Sequence, residues 1–204
     1  MIWTFIESLE HRRLLTAAQD ITSLTALRAD AAYTSVDGSG IGVAVLDSGT
    51  WAAHPDLRDN FVAFFDAVRS SSSSPGSTNV NDAFDPDGHG THTAGTAVSS
   101  NPGVGVATRA RLIAVRALPA DNEPQPQFDT VANGLQWVLN NVTRFNIKVV
   151  NMSLGVPTVN DNTGRITDQE SVLIRRLENA GVTVVSAAGN NYAAFAPNAG
   201  SATP

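Results

Sequence analysis

The sequence predicts an α/β fold of three layers, a mostly parallel sheet with helices on both faces. Two observations carry this. Short runs rich in β-branched residues alternate with longer segments of helical periodicity, and the strand-like runs are almost continuously apolar. Strands of a parallel sheet are covered on both sides, so they lose the in-out alternation of a half-solvated sheet.

The first strand is expected at 41–46, and further strands at 112–117, 149–153 and 182–187. Between the second and third of these, Val131, Leu135, Val138, Leu139 and Val142 recur at helical spacing, predicting an amphipathic helix from Phe128 to about Asn141. Thr167 with Glu170 three places on forms a capping-box signature. That helix continues through Val172, Leu173 and Leu177 and stops at Gly181. Residues 70–77, five serines followed by Pro75, Gly76 and Ser77, read as a flexible surface loop, as do residues 119–127 with their three prolines. Neither reads as a domain boundary, and no internal repeat is present.

With 204 residues, 42% of them hydrophobic and 16% charged, the chain has the composition of one globular domain with a sizeable core. The net charge is -6 and the 13 basic residues are scattered, which argues against a nucleic-acid partner. Without cysteine there are no disulfides, thiolate metal sites or cysteine nucleophiles, and the compartment is left open. No apolar run approaches the ~20 residues of a membrane span. An ordinary secretory signal is also excluded at residues 1–18, because Glu7, Glu10, His11, Arg12 and Arg13 interrupt the apolar stretch. Residues 5–15 resemble short leaders that precede some exported bacterial proteins; an amphipathic N-terminal helix is the equal alternative.

Functional groups of open α/β sheets gather at the carboxyl ends of the strands. The first strand runs into Asp47-Ser48-Gly49-Thr50, an acid at the sheet rim followed by a glycine that permits a sharp turn. Taken alone, such an aspartate is more often a turn or helix cap. Residues 85–96 are more specific: Gly88 and Gly90 flank His89 at the start of a helix of small residues, and Gly90, Ala94, Gly95 and Ala97 permit close packing. A histidine in that first turn can project into the crevice. His92, one turn on, is expected to be packed or hydrogen-bonded inside.

Asp47 in V-L-D-S-G, His89 in G-H-G-T-H-T-A-G-T and Asn190 in S-A-A-G-N, in that order, resemble the motifs of the subtilase family of serine endopeptidases. The likeness runs from about Gly40 to the last residue, and includes His54-Pro55-Asp56-Leu57 and Asn151-Met152-Ser153-Leu154-Gly155. It implies a subtilisin-like sheet that is C-terminally incomplete. Residues 40–204 would be a partial catalytic domain, 21–39 a lead-in or pro-region remnant, and 1–20 the leader-like segment.

The resemblance also implies roles. Asp47 would orient the imidazole and stabilise its charged form. His89 would be the general base and then acid, and Asn190 would donate to the oxyanion, a contact whose loss costs about a hundred- to a thousand-fold in turnover. Ser153, Leu154 and Gly155 match a strand edge that pairs with an extended peptide substrate, and Ala187 and Gly189 match the walls of the specificity pocket. The family's nucleophilic serine lies in a G-T-S-x-A motif several tens of residues beyond the asparagine. No such motif occurs among these residues, and neither Ser48, Ser153 nor Ser186 has its context. The chain as written is therefore expected to be inactive alone, to lack strands and a helix that cover its sheet, and to be poorly soluble by itself. Asp56 matches a calcium-ligand position of some members. Residues 99–105 are shortened relative to the family's calcium loop, so calcium at Asp56 is left open without being predicted, and no cofactor is required.

Three rival readings remain on the same residues. A metal-dependent hydrolase could use Asp47, Asp85, Asp87, His89 and His92, but the histidines are not spaced as H-E-x-x-H. A dinucleotide-binding domain fails because the glycines at 38, 40 and 42 lie before or at the start of the first strand instead of following it. A catalytically dead peptide-binding module using the edge at Ser153 to Gly155 is the non-enzyme alternative. The resemblance further implies a protein or peptide substrate and export from the cell.

Overall fold

The computed structural model describes residues 36–123, 126, 129–155 and 169–187. Five strands, β1 (Gly42–Asp47), β2 (Phe61–Asp66), β3 (Arg111–Arg116), β4 (Ile147–Met152) and β5 (Thr183–Ser186), form one sheet in the order β2-β3-β1-β4-β5. Every pairing is parallel. The helices are α1 (His89–Val98), α2 (Thr130–Phe145) and α3 (Gln169–Asn179).

Side chains of successive strand residues alternate between faces. In β1, Ala44 and Leu46 enter the larger core, with Leu135, Trp137, Val138 and Phe145 of α2 and Leu173 and Leu177 of α3. Val43 and Val45 enter the opposite core, with Ala94 and Val98 of α1. By the same alternation Asp47 falls on the α1 face. This places its carboxylate beneath the first turn of that helix.

The helices form for local reasons. Asp129 caps α2 by accepting from the backbone N–H of Ala132, and the helix ends where Asn146 turns left-handed at φ 50°. It runs to Phe145 because that ring is buried against Ile147 and Trp137, four residues past the predicted end. Phe128 and Thr167, the predicted starts of α2 and α3, lie outside the described residues. Around Gly181 the N–H of Val182 reaches back to the carbonyl of Leu177, ending α3.

One strand is added and two expectations are corrected. Phe61–Asp66 is a strand, and it forms the edge of the described sheet beyond β3. The 182–187 run, expected to be covered on both faces, is the other outermost strand among the described residues, and Val185 is 49% exposed. The serine-rich loop at 70–77 is at the surface but is pinned. Trp137 Nε1 donates to the Ser74 carbonyl and Asn133 Nδ2 to those of Ala67 and Ser70, while Phe64 and Ser77 exchange both backbone bonds.

Candidate active site

The chain goes from β1 to β2 two places away, returns to β3 between them, then crosses over β1 to β4 and β5 on the other side. The order therefore reverses at β1, and the crevice of an open α/β sheet lies at the carboxyl end of such a switch strand. Asp47 is the last residue of β1. Leu46 is in register with Met152, which puts Ser153 beside the acid, and Met152 is in register with Ser186.

His89 Nδ1 lies 2.7 Å from Asp47 Oδ1. The aspartate side chain is fully buried and the imidazole is 29% exposed, so one end of the ring is anchored inside and the other can reach solvent. Ser48 N–H donates to the same Oδ1. Asp47 Oδ2 is buried and has no hydrogen-bond partner among the described residues. The imidazole pKa is raised above its ordinary 6.5, first by the hydrogen bond to Asp47. Burial opposes the rise, and the charges of Asp47, Asp87 and Asp85 add to it.

So close a pairing needs α1 to approach β1 at backbone distance. Gly90 makes that approach: a Cβ there would stand 2.0 Å from the Gly49 carbonyl oxygen and 3.0 Å from Asp47 Cβ. Gly49 itself turns at φ 129°, in the region that favours glycine. At the N-terminus of α1, Gly88 brings no side-chain cap, and three side chains from outside the helix satisfy its first N–H groups. Asp87 Oδ1 accepts from His89 N, Ser48 Oγ from Gly90 N, and Asp85 Oδ2 from Thr91 N. Asp85 and Asp87 also put negative charge where the helix dipole favours it.

Of the residues singled out from the sequence, Asp47 and His89 are brought together, and Asp85 and Asp87 are built into the turn before His89. Ser153 is half-buried, with its Oγ accepting from Asn151 Nδ2. Leu154 packs against the larger core, and Gly155 is exposed. Ala187 is exposed, and its N–H donates to the Met152 carbonyl, continuing the β4–β5 ladder. Gly189 and Asn190 lie outside the described residues. His92 is exposed, contrary to expectation, because α1 buries Gly90, Ala94 and Val98 and turns residue 92 to the opposite side. Ser48 is buried, with its hydroxyl donating to Asp85 Oδ1 while accepting from Gly90, so it holds the turn.

The charges behind the site include one the sequence did not single out. Arg116, at the end of β3 opposite Asp47, is fully buried, pairs with both oxygens of Asp66 at 3.2 Å and with Glu123, and lies over the Phe84 ring. Glu123 also pairs with Arg69. Ala117 N–H and Leu118 N–H both donate to the Asp47 carbonyl, so this cluster anchors the segment that leaves β3 beside the acid.

At Asp56, several oxygens already accept hydrogen bonds. Asn101 Nδ2 donates to Asp56 Oδ2 at 3.2 Å, and Ser100 N and Oγ donate to the Asp56 carbonyl. The Asn101 backbone carbonyl accepts from both Val104 N and Gly105 N.

An acid and an imidazole paired at the switch strand of a parallel sheet, with one ring edge facing solvent, have the geometry that hydrolases of the Ser/His/Asp class use for proton transfer. The sequence model of the subtilase family (peptidase S8) matches residues 38–203, and the chain belongs to that family of serine proteases. It is 39% identical over 156 residues to a thermostable alkaline protease of Halalkalibacterium halodurans, covering 75% of this chain and 36% of the relative. Subtilisin E of Bacillus subtilis is 35% identical over 156 residues, covering 75% and 35%. Among solved structures, the S41 psychrophilic protease matches with TM-score 0.63 and 30% identity over 82% of this chain and 52% of that one. Sphericase matches with TM-score 0.62 and 31% identity over the same shares. The chain thus spans about a third of the length of these curated relatives and about half of these solved chains. Among the described residues, no helix is long and apolar enough to cross a membrane.

Proposed function

We propose that this chain supplies the acid, the base and the oxyanion donor of a serine endopeptidase, and that residues 40–204 are the corresponding part of its catalytic domain. The carrying observation is the 2.7 Å contact between Asp47 Oδ1 and His89 Nδ1 at the sheet's switch point. With Nδ1–H donating to the buried carboxylate, Nε2 is the free base on the exposed edge of the ring. It takes the proton of the attacking serine hydroxyl and returns it to the leaving amine, while Asp47 stabilises the imidazolium formed between the two steps. Asn190 donates to the oxygen of the tetrahedral intermediate.

The nucleophilic serine is not among the 204 residues in any G-T-S-x-A context, and this chain alone forms no acyl-enzyme. The substrate is a peptide or protein, laid in extended form along Ser153, Leu154 and Gly155, with Ala187 and Gly189 beside its specificity side chain. The reaction itself requires no metal or other cofactor. Export is part of the proposal, with 1–20 as leader and 21–39 as lead-in or pro-region remnant.

Sequencing the gene beyond codon 204 tests this most directly. An in-frame G-T-S-x-A motif is expected, and the product that includes it should be labelled by a serine-directed fluorophosphonate, with labelling lost in His89→Ala. An open reading frame without that serine, or labelling that survives His89→Ala, overturns the peptidase reading. The first outcome leaves a peptide-binding module.

A further inference from the structure

Asp85 accepts four hydrogen bonds, and they come from both halves of the candidate site. Its Oδ1 receives Ser48 Oγ at 2.9 Å and Asp87 N at 3.2 Å, and its Oδ2 receives Thr91 N at 2.8 Å and Thr91 Oγ1 at 2.6 Å. Ser48 follows Asp47 at the end of β1, and Thr91 follows His89 by two residues in α1. The strand and the helix also pack through Val43 and Val45 against Ala94 and Val98, but that apolar packing carries no directional bond. Near the site the backbones approach closely at Gly90, a contact that sets a minimum distance without setting a rotation.

We infer that Asp85 is a positioning residue that sets the angle and distance between Asp47 and His89, acting as a carboxylate bridge between the strand end and the first helical turn. The rest of the wiring agrees. Because its proton is committed to Asp85, Ser48 Oγ turns a lone pair to Gly90 N–H, next to His89. With its own proton committed to Asp85, Thr91 Oγ1 accepts from Trp51 N–H, fixing the chain that leaves Gly49 and Thr50. Only an acceptor-only group with two oxygens can receive all four donors, and ionised aspartate is such a group. Its carboxyl is held below the ordinary aspartate value: burial pushes it up, but the Thr91 hydroxyl, the backbone N–H groups of Gly88 and Thr91, and Ser48 together outweigh it. It is therefore ionised throughout the range in which His89 titrates.

This inference rests on the proposed pairing of Asp47 and His89, and the test separates the two. The full chain labelled with 15N only at histidine has four imidazoles, and His89→Ala assigns the signal of His89. The parent should show a far-downfield Nδ1 proton for His89, as a charged imidazole donating to a carboxylate does. Its absence in the parent overturns the pairing, and the bridge with it. If the parent shows it, Asp85→Asn, Asp85→Ala and Thr91→Val should move that proton upfield or lose it by exchange and lower the His89 titration midpoint. The order expected is Ala greatest, Val least. Thr91→Ser keeps the hydroxyl and should match the parent. The acids facing His89 are Asp47 from β1 and Asp85 and Asp87 from the preceding turn, so Asp87→Asn serves as the charge control. It should lower the midpoint without loss of the downfield proton. Thermal unfolding identifies any variant that fails to fold, and the conservative Asp85→Asn and Thr91→Val carry the decision. If both retain the parent's downfield proton and midpoint, Asp85 is not a positioning residue.

Discussion

Asp47 receives both His89 Nδ1 and Ser48 N–H on one oxygen, Oδ1, while its Oδ2 is buried and unpartnered among the described residues. A fully buried charge needs a close partner, and the positive charge of a protonated His89, hydrogen-bonded to Oδ1, is that partner. The pair is thus built to hold a proton on the imidazole.

The sign of the resulting pH dependence follows from the raised imidazole pKa. Stability from the charged pair is complete below the ordinary histidine value of 6.5 and is lost as pH rises through the higher folded value. Catalysis runs the other way, because the base must be neutral. In the assembled protease, kcat/KM is expected to rise with pH through an apparent pKa above 6.5, and a limb centred below 6.5 would contradict the His89 environment described here.

Asp47→Asn removes the charge but keeps the shape. The amide can turn an N–H toward Nδ1, which then favours the tautomer with its proton on Nε2, the wrong one for a base. Turnover of the assembled protease is expected to fall by about four orders of magnitude, with KM changed far less. The His89 midpoint of the full chain should drop toward or below 6.5, since the first cause of its elevation is gone.

Gly90→Ala tests the backbone approach. The new Cβ would stand 2.0 Å from the Gly49 carbonyl oxygen, a backbone atom that cannot swing aside, so α1 must move away from β1. We expect a loss of about 1–3 kcal/mol in chemical denaturation, the range for overpacking a tight site. The same variant should lose the downfield His89 proton. Gly95→Ala, where a Cβ meets nothing within 4 Å, should do neither.

These features differed in how far the sequence revealed them. Asp47 and His89 were legible because each sits in a motif with glycines that permit close approach, and Gly90 shows that approach. Strands β1, β3 and β4 were legible as apolar runs, and their bounds moved by only one or two residues. β2 was missed because Phe61–Asp66 leads into the serine tract without the helical segment that set off the other runs. The exposure of β5 was not legible either, because apolar content reports the covering a strand is suited to, not the covering present. Arg116 was illegible for a different reason: its partner Asp66 is 50 residues away, and nothing local marks an arginine that ends an apolar strand as buried. Ser48, Asp85 and Thr91 belong to the motifs, but only coordinates show that one carboxylate serves them all.

Arg116→Met tests the buried cluster. The arginine is fully buried while Asp66 and Glu123 keep 12% and 16% of their side-chain surface, so removing the cation leaves two acids that are only partly hydrated. A loss of about 3 kcal/mol is expected in denaturant, the low end for breaking a buried pair. Glu123 is held below its ordinary carboxylate value: burial pushes it up, while the Ala120 N–H and then Arg116 and Arg69 outweigh that. Its contribution is present above the ordinary carboxylate value and is lost as pH falls through the lower folded value. The deficit of Arg116→Met relative to the parent should therefore shrink in acid. A deficit independent of pH would mean that the arginine acts through packing on Phe84.

Asn101 gives the sharpest test of the loop at Asp56. Its amide N–H donates to Asp56 Oδ2, while its carbonyl accepts from Val104 N and Gly105 N, so the loop closes on neutral donors. Melting of the parent chain should be the same in chelator as in millimolar calcium. Asn101→Asp replaces the donor by a second carboxylate facing Asp56. At this partly exposed position the repulsion is about 1 kcal/mol, equivalent to a fall of roughly 2–4 °C in the melting temperature of a chain this size. Calcium should restore the melting temperature of the variant while leaving the parent unmoved, because two facing carboxylates provide the oxygen ligands that an asparagine donor withholds. A parent that melts lower in chelator would show that cation ligands reach Asp56 despite the Asn101 amide.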